Sequence, residues 1–66
     1  MKLVINGAER DVDGARSVLG LIESLKLDPK TLVVEHNGVL LRREGLDSAR
    51  LAEGDRLELV RFVGGG

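Results

Sequence analysis

Sixty-six residues allow one domain, close to the lower size at which a chain buries enough surface to fold alone. With no cysteine, tryptophan or tyrosine, one phenylalanine, and a net charge of −1 from 10 basic and 11 acidic residues, the chain can carry no disulfide framework, thiolate metal site or cysteine nucleophile. Nucleic acid is a poor partner for it, because the sequence offers neither stacking rings nor a basic patch. No apolar run reaches the length of a membrane span, and residues 1–5 hold one lysine and too short an apolar stretch for a secretory leader. The expectation is a cytoplasmic protein with no membrane partner.

The first predicted element is a strand, Lys2-Leu3-Val4-Ile5, closed by Asn6-Gly7. Both central residues of a type I′ turn need positive φ, which Asn and Gly tolerate best. The return strand spans roughly Ala8 to Val12. Its alternation sets Arg10 on the same face as Ala8 and Val12, so Arg10 either snorkels from a sheet edge or a bulge shifts the register. After the loop Asp13-Gly14-Ala15-Arg16, Ser17 is placed as an N-cap. Val18, Leu21, Ile22 and Leu25 then follow at helical spacing. Gly20 costs this helix about 1 kcal/mol relative to alanine, and close packing against the sheet is its expected reason. Asp28-Pro29 ends the helical region.

Leu32-Val33-Val34-Glu35-His36 reads as the third strand, Asn37-Gly38 as a second tight turn, and Val39-Leu40-Leu41-Arg42 as a short fourth strand. Residues 43–50 read as loop. Leu51-Ala52-Glu53-Gly54-Asp55 makes a turn into the last strand, Arg56 to Phe62. The fold class is therefore α+β, in the order ββαβββ, with one helix on one face of a small mixed sheet of four to five strands. The first and last strands are expected to be central and parallel. Leu3, Ile5, Val12, Leu32, Val34, Leu51, Leu57 and Leu59 are expected to face the helix.

The last strand runs into Gly64-Gly65-Gly66. Glycine is a poor strand end, having the largest backbone entropy cost and no side chain to pack. The body is accordingly assigned to 1–62 and a flexible glycine tail to 63–66. A slim tail suits entry into a narrow active site, with the Gly66 carboxylate as the reacting group; the plainer reading is a frayed or engineered end. Such a carboxyl has a pKa of about 3.3–3.7 and is ionised at neutral pH. No base, phosphate loop or metal cluster is evident by spacing, so the expected metal set is none. His36, the sole histidine, reads as a partly buried structural residue. If Leu57 and Leu59 point inward, Glu58, Val60 and Phe62 point outward. Val60, Phe62 and Val63 are then candidate partner-binding residues beside the tail, with Arg61, Glu53, Asp55 and Glu58 as candidate steering charges.

The early Asn6-Gly7, the segment Val33-Val34-Glu35-His36-Asn37-Gly38, the segment from Leu51-Ala52-Glu53-Gly54-Asp55 to Leu59, and the terminal Val63-Gly64-Gly65-Gly66 resemble the ThiS family, the bacterial sulfur carriers of thiamine biosynthesis. The resemblance covers essentially the whole chain. The Leu-x-x-Gly-Asp turn also occurs in other β-grasp modules, and its combination with a diglycine end is the more specific sign. His36 departs from the aliphatic residue expected there. The resemblance implies a β-grasp, ubiquitin-like fold and a carrier rather than an enzyme. A ubiquitin-activating-like adenylyltransferase, using its own ATP and Mg, would adenylate the Gly66 carboxylate, so no cofactor is expected on this chain. A sulfur donor enzyme would convert the acyl-adenylate to a thiocarboxylate, and thiazole synthase would take the sulfur. Gly64 and Gly65 would provide reach. The alternatives are a carrier like the small subunit of molybdopterin synthase, a non-covalent β-grasp binding module, and ubiquitin-like tagging through amide bonds.

Overall fold

Asn6-Gly7 and Asn37-Gly38 do close two tight hairpins. Asn6 and Asn37 both take φ of 51°, and Gly7 and Gly38 take 81° and 85°, the positive values that a type I′ turn demands. The structure, a computed structural model, describes residues 1–62; the tail assigned to 63–66 lies outside the described residues. The first hairpin joins β1 (Lys2–Ile5) to β2 (Ala8–Asp11), and the second joins β3 (Leu32–His36) to β4 (Val39–Leu41). Between the hairpins lies α1 (Val18–Ser24), and the last strand is β5 (Arg56–Arg61). The sheet order is β2-β1-β5-β3-β4. β5 is central, parallel to β1 and antiparallel to β3, so the first and last strands are neighbours and parallel as expected.

Helix α1 begins as its sequence dictates. Ser17 is extended, and its Oγ accepts the Gly20 N–H at 3.1 Å, capping an otherwise orphan amide. Val18, Leu21 and Ile22 are fully buried against Leu3, Ile5, Val34, Leu57 and Leu59. Val12, Leu25, Leu32 and Leu51 pack around this core while partly exposed. The helix ends earlier than expected: Leu25 caps it and Lys26 turns left-handed at φ 62°. Asp28-Pro29 instead opens a 3₁₀ turn, in which the Asp28 carboxylate accepts the Lys30 N–H at 2.9 Å.

Gly20 and the segment 43–50 also differ from the expectation. Gly20 is not pressed against the sheet: a Cβ there would meet only Ser17 Oγ at 3.4 Å. Its lack of a side chain therefore has no packing cause. Residues 43–50 are more than a connecting loop. A 3₁₀ turn at Arg43–Gly45 delivers Leu46 into the core at 2% exposure, and the Leu46 carbonyl accepts the Leu19 N–H at 3.0 Å. Periodicity is uninformative over so short a stretch, so this core residue was not recognisable from pattern.

The asparagines do more than turn the chain. The β1–β5 ladder stops at Ile5↔Leu57, and Asn6 then extends it with its side chain. Asn6 Oδ1 accepts the Leu59 N–H at 2.8 Å and Nδ2 donates to the Leu59 carbonyl at 3.2 Å. On the other edge, the Asn37 N–H donates to the Arg56 carbonyl at 2.8 Å while Asn37 Oδ1 accepts the Arg56 N–H at 2.9 Å. Both hairpin tips thereby clamp the backbone of β5, at its middle and its start.

Replacing Asn6 by glycine keeps the turn conformation and removes the clamp. Asn6→Gly is expected to lower stability by about 1–3 kcal/mol, the cost of leaving a part-buried peptide unit unpaired, read as a lower denaturant midpoint. Gly20→Ala should raise stability by about 0.5–1 kcal/mol in the same titration, because the site has room and the helix gains propensity.

Candidate functional site

β5 carries the chain toward its C-terminal residues, so the surfaces flanking its exit are the ones any partner of those residues would meet. Leu57 and Leu59 are buried under α1, which by strand alternation turns Glu58 and Val60 to the opposite, helix-free face. Val60 pairs directly with Val33, and both are exposed, at 55% and 42%. Leu40, opposite Glu35 on β4, is 64% exposed. Phe62 continues the line: its N–H still donates to the Thr31 carbonyl at 3.1 Å, and it is 49% exposed rather than folded over the core. Val33, Leu40, Val60 and Phe62 thus form an exposed apolar group on one sheet face, in agreement with the outward reading of Val60 and Phe62. Val63, Gly64, Gly65 and Gly66, the remaining sequence-derived site residues, lie outside the described residues.

The same face holds an acidic pair that the linear sequence does not reveal. The β3–β5 register sets Glu35 directly opposite Glu58, both exposed. Like charges facing each other across strands are destabilising. The signal lies in the register rather than in either residue, since Glu35 and Glu58 are far apart along the chain.

The other acidic candidates are engaged elsewhere. Glu53 Oε2 accepts the Lys2 N–H at 3.1 Å. Asp55 is tied into the turn before β5 and its side chain is only 13% exposed. Its Oδ2 accepts from His36 Nε2 at 2.8 Å and from the Ala52 N–H at 2.9 Å, and its Oδ1 accepts from Asn37 Nδ2 at 3.1 Å. Desolvation acts to raise the Asp55 pKa, but the hydrogen bonds from His36, Asn37 and Ala52 and the positive charge available to His36 together outweigh it and hold the carboxyl below its usual value. An ionised carboxylate only accepts, so Nε2 of His36 carries the donated proton. His36 is therefore a structural residue, joining the second hairpin to the turn that aims β5. Among the described residues no three His, Cys, Asp or Glu side chains gather where a metal ion could be held, and no helix is long and apolar enough to cross a membrane.

Comparison with known proteins bears directly on this arrangement. The ThiS family profile matches residues 3–66. The chain belongs to the ThiS family. The crystal structure of a thiamine biosynthesis protein (ThiS) from Geobacter metallireducens superposes with a TM-score of 0.84 at 39% identity, covering all of both chains, and shares the β-grasp topology described above. A sulfur carrier protein ThiS from Bacillus subtilis is 34% identical over 50 residues, 76% of each chain. A thiazole synthase from Paramagnetospirillum magneticum is 38% identical over 66 residues, all of this chain and 20% of its own length. One from Magnetococcus marinus is 32% identical over the same 66 residues and the same 20%. This ThiS-family chain thus spans about a fifth of the length of those two thiazole synthases.

The Asp55 network has an acid signature. A carboxyl whose folded pKa is depressed contributes stability that is fully present above the unfolded value, about 3.9, and is lost as pH falls through the folded value. Asp55→Asn should be less stable than the parent at neutral pH by about 1–3 kcal/mol, since one of three donors loses its acceptor. It should also lose less stability than the parent on acidification below about pH 4, measured by denaturant midpoints at a series of pH values.

Proposed function

We propose that this chain is a sulfur carrier for the thiazole moiety of thiamine, acting as a protein co-substrate rather than as a catalyst. The observation that carries the reading is the match of the ThiS family over residues 3–66, the glycine end included. The reacting group is the carboxylate of Gly66. A free carboxylate is a poor acyl electrophile but attacks the α-phosphorus of ATP, releasing pyrophosphate and forming an acyl-adenylate. A persulfide on a sulfur donor enzyme then attacks the acyl carbon and displaces AMP. A thiol cleaves the resulting acyl disulfide, leaving a thiocarboxylate and a new disulfide on the thiol side. The ATP, the Mg and the positioning belong to a ubiquitin-activating-like adenylyltransferase, in the cytoplasm. Gly64 and Gly65 supply a backbone with no Cβ to obstruct a narrow channel.

Thiazole synthase is the proposed acceptor. Support comes from the two thiazole synthases that contain a stretch similar to the whole of this chain, since a carrier and its acceptor gain from proximity. The proposed docking surface is the exposed face of Val60 and Phe62 with Val33 and Leu40; Val63, the third candidate, lies outside the described residues. The Glu35–Glu58 pair at the centre of that face, in no ion pair among the described residues, favours a partner with basic residues there.

The decisive measurement is intact mass after incubation with an adenylyltransferase of this class, ATP and a sulfur donor. Replacement of one C-terminal oxygen by sulfur is the expected result; an unchanged mass, with the same enzyme charging a known carrier, would refute it. Deleting Gly65 and Gly66 should abolish charging while leaving the melting temperature nearly unchanged. Glu35→Gln with Glu58→Gln should raise stability by about 0.2–1 kcal/mol and at the same time slow association with the adenylyltransferase, most strongly at low salt.

A further inference from the structure

Two arginines occupy places where the sheet faces the core. Arg10 pairs directly with Leu3, which is fully buried, and Arg61 pairs with Leu32, which packs against the core. Directly opposed residues share a face, so both guanidinium groups project to the helix side of the sheet rather than to the apolar face described above. This resolves the place of Arg10: β2 is a regularly paired edge strand with no bulge, exposed throughout. No carboxylate among the described residues pairs with either arginine.

Both arginines line one open groove of about 430 Å³ whose apolar surface comes from Ile5, Leu25, Leu27, Leu32 and Leu59. The groove is made by the early end of α1. The left-handed Lys26 reverses the chain and keeps Leu25 and Leu27 half-buried over the sheet. It also lies beside a break in the ladder. The Asn6 side chain satisfies Leu59, and beyond it no described residue pairs with the backbone of Arg61 on the β1 side.

We propose that this groove binds an extended acidic peptide segment of a protein partner, one carrying carboxylates between aliphatic side chains. The aliphatic residues fill the groove, the carboxylates meet Arg10 and Arg61, and the segment's backbone pairs with Arg61 along the line that β1 leaves. Charge complementarity selects the acid, since guanidinium groups hold carboxylates in charge-assisted, often bidentate hydrogen bonds. The open strand edge selects a peptide over a small amphiphile, because only a peptide also offers backbone partners. This site lies on the opposite side of β5 from Val60 and Phe62, so both sides of the strand leading to the C-terminal residues can be gripped.

The test is an amide chemical-shift titration of the whole chain with the capped peptide Leu-Glu-Val-Asp-Leu, with Leu-Lys-Val-Lys-Leu and octanoate as parallel arms. The acidic peptide is expected to shift the amides of Ile5, Leu27 and Arg61 with saturation, the lysine peptide and octanoate to leave them in place, and added salt to weaken binding. Arg10→Gln and Arg61→Gln should each weaken the acidic peptide by about tenfold without moving the melting temperature, both side chains being exposed. The inference is overturned if the acidic peptide leaves those amides unmoved, if the lysine peptide shifts them equally, if octanoate shifts them and the peptide does not, or if the arginine variants bind as well as the parent. Each of these outcomes is independent of whether Gly66 accepts sulfur.

Discussion

Everything in this small domain depends on holding the backbone of β5. That strand is central, buries Leu57 and Leu59, and points the chain toward its C-terminal residues. A central strand must have both edges satisfied, because unpaired peptide groups near a core cost about 1–3 kcal/mol each. β1 and β3 supply most of that pairing, yet β1 is only four residues long and falls short. The Asn6 side chain extends it by one residue with a peptide-like amide, taking both polar groups of Leu59, while Asn37 holds Arg56 with its own backbone N–H and its side-chain Oδ1. Two residues whose primary signature is turn formation thus also fix the strand between them.

The polar network before β5 follows from the same need. The turn at Leu51–Asp55 has to deliver the chain into the centre of the sheet at one register. Asp55 fixes it by accepting from His36, Asn37 and Ala52, and the Asp55 carbonyl accepts the Val4 N–H at 2.9 Å. His36, an oddity against the aliphatic residue expected at its place, is thereby explained by a carboxylate partner 19 positions away in the chain. The strand exit is the consequence: an apolar face with an acidic pair on one side, an arginine-lined groove on the other.

The element order was legible because its signals are local. Asn-Gly turns, the Ser17 cap, helical spacing of Val18, Leu21 and Ile22, and the alternation of β5 each act within a few residues. The outward direction of Val60 and Phe62 follows from strand parity alone once Leu57 and Leu59 face the core. The surroundings of Gly20 and the role of the 43–50 segment are not legible for a related reason: a glycine's neighbours across space and a single buried leucine in an irregular turn leave no periodic trace.

By itself, then, the sequence determined the secondary elements, their order, the likeness to the ThiS family and the side of β5 that Val60 and Phe62 occupy. The tertiary structure alone decided which distant residues meet: Glu35 with Glu58, His36 with Asp55, Asn6 with Leu59, and Arg10 with Arg61 around one groove. The physical reason is that strand pairing is non-local. Its register is fixed by which apolar faces can share one core, so neighbours across the sheet become known only once every strand has been set against the same helix.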